Sequence, residues 1–527
     1  MRQLGILDSA FINLENPNTP QHVGGLGIYD PSTAPNGIVR FKEVIANFEQ
    51  RLKAMPQFRT RLAHVPGKID RPYWVTDENF DVEFHLRHVA LPKPGDWRQL
   101  WIQAARLHAR SLDMTRPLWE AYIIEGLDNI EDVPPGSFAI YTKMHHSLVD
   151  GAGGEAFMTA LHDLTPIAEP RVLDNKPILV DRNPSAGELL VRSASNRIKQ
   201  PISLAKGAAQ FLGDYRKHAK AVKNGEIPSA DVEAPRTRFN ESVGPHRVAQ
   251  AAVFQLDDFK LIKNACNATI NDVALSVIGG AMRKYLELHN ELPEESLAAG
   301  IPLNMRGRRA DSEDDNNQVG SMTCHIHTNI ADPLERLAAV SRSASDAKLS
   351  NEANPAIDAL KIAGVFSPAV TQWVSKAWAK NDLSRLVPAN MCTVISNTPG
   401  PNYPLYSAGA KMVRYHSMGL LTPGCASFHL VFSVNGLITV TFLADRNAIP
   451  DPEVYLRCLE ESYAETLQAA KALQTGAVPA KKKAVPAKKK VAAKKATGAA
   501  AKAKAKNSSK PKKAVANKAA GKGTSKK

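Results

Sequence analysis

Two adjacent histidines and an aspartate four residues beyond the second, His145, His146 and Asp150, are the residues of this chain best suited to proton chemistry. Imidazole is the side chain whose unperturbed pKa lies near neutrality, so either histidine could take a proton from a hydroxyl. The His146-x-x-x-Asp150 spacing sets an acid one turn away from a candidate base. Gly151, Ala152, Gly153 and Gly154 follow and let the backbone turn sharply. The same residues admit a plainer reading, a strand-end histidine pair satisfied by backbone, with Asp150 capping a helix.

The stretch Ser137–Gly154, SFAIYTKMHHSLVDGAGG, predicts a strand, a tight polar turn and the start of a helix. Phe138, Ile140 and Thr142 alternate with Ala139, Tyr141 and Lys143, a pattern of high β-propensity that suits a buried strand. Upstream, HVGGLGIYD (His22–Asp30), WVTDENF, VEFHLRHVAL and LWEAYIIEGL read as further strands. Residues Ile38 to Met55 and Gln99 to Leu112 carry helical spacing. Strands interleaved with helices predict a mixed α/β layer structure. Between Pro166 and Asn240 prolines and charges dominate, with two exposed helices expected at Ala186–Ile198 and Ile202–Val222. A second α/β block follows. It holds a strand at Val248–Leu256, a long helix at Ile270–His289 and a strand near Met322–Thr328. A hairpin, HLVFSV-NG-LITVTFL, turns on Asn435-Gly436. The expected division is 1–185, a connection at 186–245, a second domain at 246–476 and a tail at 477–527.

Of the 527 residues, 43% are hydrophobic and 23% charged, ordinary values for a soluble globular protein. The formal charge of +15 is concentrated in one place. Residues 477–527 hold 18 lysines and no acidic residue; elsewhere 49 basic residues stand against 52 acidic ones. This Lys/Ala/Pro tail has no aromatics, so it is expected to be disordered. It admits three readings: a solubilising extension, non-specific binding of nucleic acid through phosphates, or attachment to an anionic membrane or lipid-droplet surface. The five scattered cysteines form no CxxC pair and no ligand spacing, which argues against a disulfide framework and a zinc site and fits a reducing interior. The N-terminus lacks a signal peptide's apolar core, and no run is long enough to span a bilayer. A cytoplasmic protein, peripheral at the inner membrane or at lipid inclusions, is expected.

Across nearly all of residues 1–470 the chain resembles the bacterial wax ester synthase/acyl-CoA:diacylglycerol acyltransferases. The resemblance rests on five elements in order. They are Leu4, Asp8, Phe11 and Glu15 followed by Pro20-Gln21-His22-Val23-Gly24-Gly25; Pro117-Leu118-Trp119-Glu120; the HHxxxDG motif at His145–Gly151; Asn271-Asp272; and Ser396-Asn397-Thr398-Pro399-Gly400-Pro401. HHxxxDG alone is shared with condensation domains; the ordered set is far more specific. The resemblance implies two chloramphenicol-acetyltransferase-like domains with a tunnel between them and the histidine at its middle. It implies esterification of a fatty alcohol or a diacylglycerol by acyl-CoA, with no metal or redox cofactor. The other readings are a condensation-type acyltransferase fed by a carrier protein, and a granule- or nucleoid-associated structural protein.

Within that resemblance His146 is the expected base. His145, its strand neighbour pointing the opposite way, is expected to be structural. Asp150 is expected to pair with Arg306 and brace the loop, with Gly151 forming the turn. Asn271 is expected to donate to the oxyanion, with helix capping as its alternative. Asp272 is expected to serve as a first-turn helix acid. Trp119 is assigned to the core. Ser396, Asn397 and Phe428 are expected along the substrate tunnel. Two departures stand out. Thr398 occupies a position where the family often has Val, and Phe428 lies where relatives tend to have a Leu-Asn pair, which bears on acceptor size.

Overall fold

The computed structural model describes residues 1–148, 157–167, 183–228, 232–304, 319–352, 367–381, 383–386 and 389–475. Asp150, Gly151, Arg306 and the tail 477–527 lie outside these residues.

Two six-stranded mixed sheets and a small three-stranded one carry the chain. The first large sheet runs in the order Tyr406–Ser407, Ala410–Met418, His22–Asp30, Phe138–His145, Trp119–Glu125, Leu86–Ala90. The second runs Val319–His325, Ala298–Asn304, Thr393–Pro399, Ser427–Val434, Leu437–Asp445, Arg247–Gln255. Sheet membership does not follow chain order. The strand Ala410–Met418, from the second half, lies antiparallel to His22–Asp30 and extends the first sheet. One hydrophobic core accordingly joins Leu26, Leu100 and Tyr141 to Phe254, Val277 and Phe442.

The strand His22–Asp30 forms over the residues its alternation predicts, and so does the hairpin. At the hairpin tip Asn435 and Gly436 have φ of 49° and 81°, the two positive values that a type I′ turn needs. Helix Trp97–Ala109 buries Leu100, Trp101, Ala104, Ala105, Leu107 and His108, a helical stripe, and Asp96 caps it by accepting from the Gln99 N–H. Helix Ile270–Leu288 is buried along most of its length. A Cβ on its Gly279 would come within 2.4 Å of the Ile326 carbonyl, so only glycine permits that approach.

Two expectations change. Residues 82–90 are a short helix, Val82–His85, followed by a strand, Leu86–Ala90. Asp81 accepts from the Glu83 N–H and starts a helical turn that the apolar pattern does not announce. The two helices expected on either side of Pro201 form one continuous helix, Ala186–Lys223, capped by Ser185.

Candidate active site

The strand Phe138–His145 is paired on both sides, to His22–Asp30 and to Trp119–Glu125. Its end is fixed by two further backbone bonds. The His145 N–H donates to the Leu118 carbonyl and the His146 N–H to the Gln21 carbonyl, both at 2.9 Å. The two histidines therefore sit where three segments meet: the Pro117–Glu120 element, the Pro20–Gly25 element and the HHxxxDG turn.

His145 is fully buried and both ring nitrogens are occupied. Nδ1 accepts from the Ser147 backbone N–H at 3.1 Å and lies 2.7 Å from the Ser147 hydroxyl. Accepting an N–H leaves the proton on Nε2, which donates to the Glu15 carboxylate at 2.8 Å. Both ring nitrogens of His145 are thus engaged within the protein. His146 leaves the strand into the turn, is half-buried, and stacks on Phe11 with ring centroids 4.1 Å apart and planes 21° from parallel. Phe11 belongs to helix Ile6–Leu14, and Glu15 is its C-cap. One short helix thus supports both histidines, the first by a carboxylate and the second by an aromatic face.

A second buried network stiffens the same strand. Tyr141, Lys143 and His145 share one face. Lys143 Nζ donates to the Leu107 and Arg110 carbonyls at 3.2 and 2.8 Å, at the C-terminal end of helix Trp97–Ala109. Burial pushes its pKa down, and the Glu120 carboxylate 3.4 Å away opposes that shift. Tyr141 meets His108 Nδ1 at 2.8 Å, and His108 Nε2 donates to the Gly419 carbonyl at 2.7 Å. Burial lowers the His108 pKa to about 3, so it is a neutral ring. His22, opposite His145 in the sheet, meets the His108 carbonyl through Nε2 at 2.5 Å. Its pKa is driven well down, by burial first and then by His108. Trp119 is buried, donates to the Phe58 carbonyl and stacks on His85, a core role.

Asn271 is the second residue of helix Ile270–Leu288 and is half-buried. The cap belongs to Thr269: its hydroxyl accepts from the Asp272 N–H at 3.1 Å, and the Asp272 carboxylate accepts from the Thr269 N–H at 2.9 Å. Capping therefore does not account for Asn271, while Asp272 has a first-turn structural task.

Ser396 is half-buried and Asn397 exposed on Thr393–Pro399. That strand pairs with Ala298–Asn304 only at Thr393 and Val394, whereas its pairing with Ser427–Val434 continues from Val394 to Pro399. From Ile395 onward its other edge has left Ala298–Asn304. Phe428 faces Val394 and Leu443 in register, and its ring lies against the backbone of Gly419, where a Cβ would come within 2.4 Å. It thus wedges the seam where the chain passes from the first sheet at Met418 to the second at Ser427.

Glu15 and Phe11 are motif members whose roles come only from the fold; their spacing, four residues apart at a helix end, is the one signal in the sequence. Lys143, His22 and His108 gave no signal of their shared burial. Among the described residues, no group of three or more His, Cys, Asp or Glu is placed to hold a metal ion.

The sequence description of the wax ester synthase/diacylglycerol acyltransferase catalytic domain matches residues 4–274, and that of the WS/DGAT C-terminal domain matches residues 316–466. A probable diacylglycerol O-acyltransferase of Mycobacterium tuberculosis is 32% identical over 468 residues, covering 88% of this chain and 98% of the relative. The solved wax ester synthase/diacylglycerol acyltransferase of Marinobacter aquaeolei VT8 is 26% identical, with a TM-score of 0.62 over 89% of this chain and 100% of that one. Trichothecene 15-O-acetyltransferase of Fusarium sporotrichioides, 13% identical, shares the fold at a TM-score of 0.55 over 89% of this chain and 94% of that one. The motifs, the two mixed sheets and these likenesses agree: the chain belongs to the wax ester synthase/diacylglycerol acyltransferase family of O-acyltransferases.

Proposed function

We propose that the protein esterifies a long-chain fatty alcohol, a diacylglycerol, or both, with acyl-CoA, and that His146 is the general base. The observation that carries the assignment is the occupied ring of His145. With that ring tied to Glu15 and Ser147, the base is assigned to the neighbouring His146, half-buried and stacked on Phe11. As the ester C–O bond forms, His146 takes the hydroxyl proton; as the thioester C–S bond breaks, it passes that proton to the CoA thiolate. Asn271 donates its amide N–H to the oxyanion of the tetrahedral intermediate, a contribution of roughly 10²–10³ in rate for donors of this kind. In this proposal Asp150 and Arg306, both outside the described residues, are assigned as the pair that braces the loop after His146, and Gly151 as its turn residue.

Ser396, Asn397 and Phe428 line the acceptor path in this reading, supported by the divergence of Thr393–Pro399 from Ala298–Asn304 and by the Phe428 wedge. No metal or redox cofactor takes part, and acyl-CoA is a substrate. The protein works at the inner membrane or at lipid inclusions, and the basic tail 477–527 adds attraction to their anionic surface. The experiment is CoA release from palmitoyl-CoA by the purified protein with hexadecanol or dioleoylglycerol. Release dependent on either acceptor, and lost in His146→Ala, supports the proposal; release only from an acyl carrier protein substrate would replace it.

A further inference from the structure

Helix Pro368–Lys380, PAVTQWVSKAWAK, has its polarity reversed for a surface helix. A helix on a globular protein ordinarily turns an apolar stripe to the core and polar residues to water. Here the side facing the protein is polar. Gln372 Nε2 donates to Asn13 Oδ1 at 3.3 Å and Lys68 Nζ donates to Gln372 Oε1 at 2.9 Å. Ser375 Oγ donates to the Leu14 carbonyl at 3.4 Å. The outward side carries Val370, Trp373, Val374 and Trp378, spaced at i, i+3, i+4 and i+8. They are 49%, 71%, 48% and 36% exposed. Leu386 follows at 79%. Lys376 and Lys380 are exposed along one flank of the stripe, and the helix holds no acidic residue.

We infer that this face docks on an anionic lipid surface. Tryptophan, with an apolar body and one N–H, and lysines along the edge of an apolar stripe are the residue types that settle at the headgroup boundary. At about 20 Å for 13 residues the helix is shorter than the roughly 30 Å hydrocarbon core, so it lies in the interface plane. A second copy of the chain fits less well. In a two-fold contact through this face the helix would offer Lys376 and Lys380 no acidic partner from its own copy. The helix packs on Ile6–Leu14, whose Phe11 stacks on His146. Docking therefore brings lipid beside the wall of the site. This last link rests on the acyl-transfer reading; the docking itself does not.

The test is partitioning of the full-length chain onto phosphatidylcholine/phosphatidylglycerol vesicles in about 0.5 M salt, where screening over a few ångströms suppresses attraction by the lysine tail. The parent is expected to show tryptophan quenching by brominated lipid, and the double variant Trp373→Glu, Trp378→Glu to partition at least tenfold less. Its turnover of a short-chain acyl-CoA with a water-soluble alcohol is expected to stay unchanged. Val370→Ser, a milder change on the same stripe, is expected to weaken partitioning in the same direction and guards against a folding defect in the double variant. Unaltered partitioning in both variants overturns the inference. So does a loss of dimer with partitioning intact, which would assign the face to a second copy. Vesicle binding without acyl transfer would leave docking in place and remove the catalytic reading instead.

Discussion

Glu15→Ala removes the carboxylate that accepts the His145 Nε2–H at 2.8 Å. His145 is wholly buried and the Glu15 side chain is 12% exposed, so water offers the orphaned N–H little relief. Losing a hydrogen bond to a charged group at such a site costs about 1.5–3 kcal/mol. In a folded unit of this size that is a fall of roughly 2–3 °C in Tm. The kinetic effect should be larger, because the His145–His146 peptide is held from two sides and the carboxylate is what fixes the His145 ring. A 1 Å misplacement of a catalytic group costs on the order of 10²-fold, so we expect kcat to fall about tenfold or more with KM for acyl-CoA little changed. Glu15→Gln keeps an acceptor oxygen and should retain turnover within about threefold. The assay is steady-state CoA release alongside a thermal melt. Unchanged kcat in Glu15→Ala would refute the brace, and Glu15→Gln as damaging as Glu15→Ala would show that charge, not acceptance of the N–H, is what matters.

Asn271→Ala should lower kcat by roughly 10²–10³ with Tm unmoved, whereas Thr269→Ala should cost about 1 kcal/mol of stability and little turnover, as paired melts and kinetics would show. Phe428→Leu opens the seam between the sheets and should shift acceptor preference toward bulkier alcohols, read as the ratio of kcat/KM for dioleoylglycerol over hexadecanol. Under the proposed Asp150–Arg306 pairing, Asp150→Asn should lose about 3–5 kcal/mol alongside any loss of activity, read by chemical denaturation. Acid should destabilise the fold in a predictable window. Burial holds His108, His416 and His429 at pKa about 3 and His162 at about 4. Unfolded, each binds a proton near 6.5, so their stabilisation is complete above 6.5 and is lost as pH falls toward 3–4. One unit below 6.5 the four together should lose on the order of 5 kcal/mol, measurable as Tm against pH.

What the sequence made legible was local. The strand His22–Asp30 and the Asn435-Gly436 hairpin follow from alternation and turn chemistry, which act over a few residues. The histidine motif also announced itself through residue type and spacing. The brace did not: Glu15 and His145 are 130 positions apart, and no periodicity links a helix end to a distant strand end. The same holds for Ala410–Met418, whose apolar pattern says that it is a strand but not which sheet it completes. Capping misled in both directions. Asp81 starts a helix inside a strand-like run, and Thr269, one residue before the helix, takes the task that Asn271 was a candidate for. The reversed helix Pro368–Lys380 shows as amphipathic in sequence, yet only its contacts with Asn13 and Leu14 reveal which side is outward.

The central claim, that His146 and not His145 is the base, is tested most directly by pre-steady-state CoA release from palmitoyl-CoA with hexadecanol or dioleoylglycerol in His146→Ala and His145→Gln. A loss of about 10²–10⁴-fold in His146→Ala with the melt unchanged, and a partial loss with lowered Tm in His145→Gln, are expected. Turnover within a few-fold of the parent in His146→Ala would contradict it.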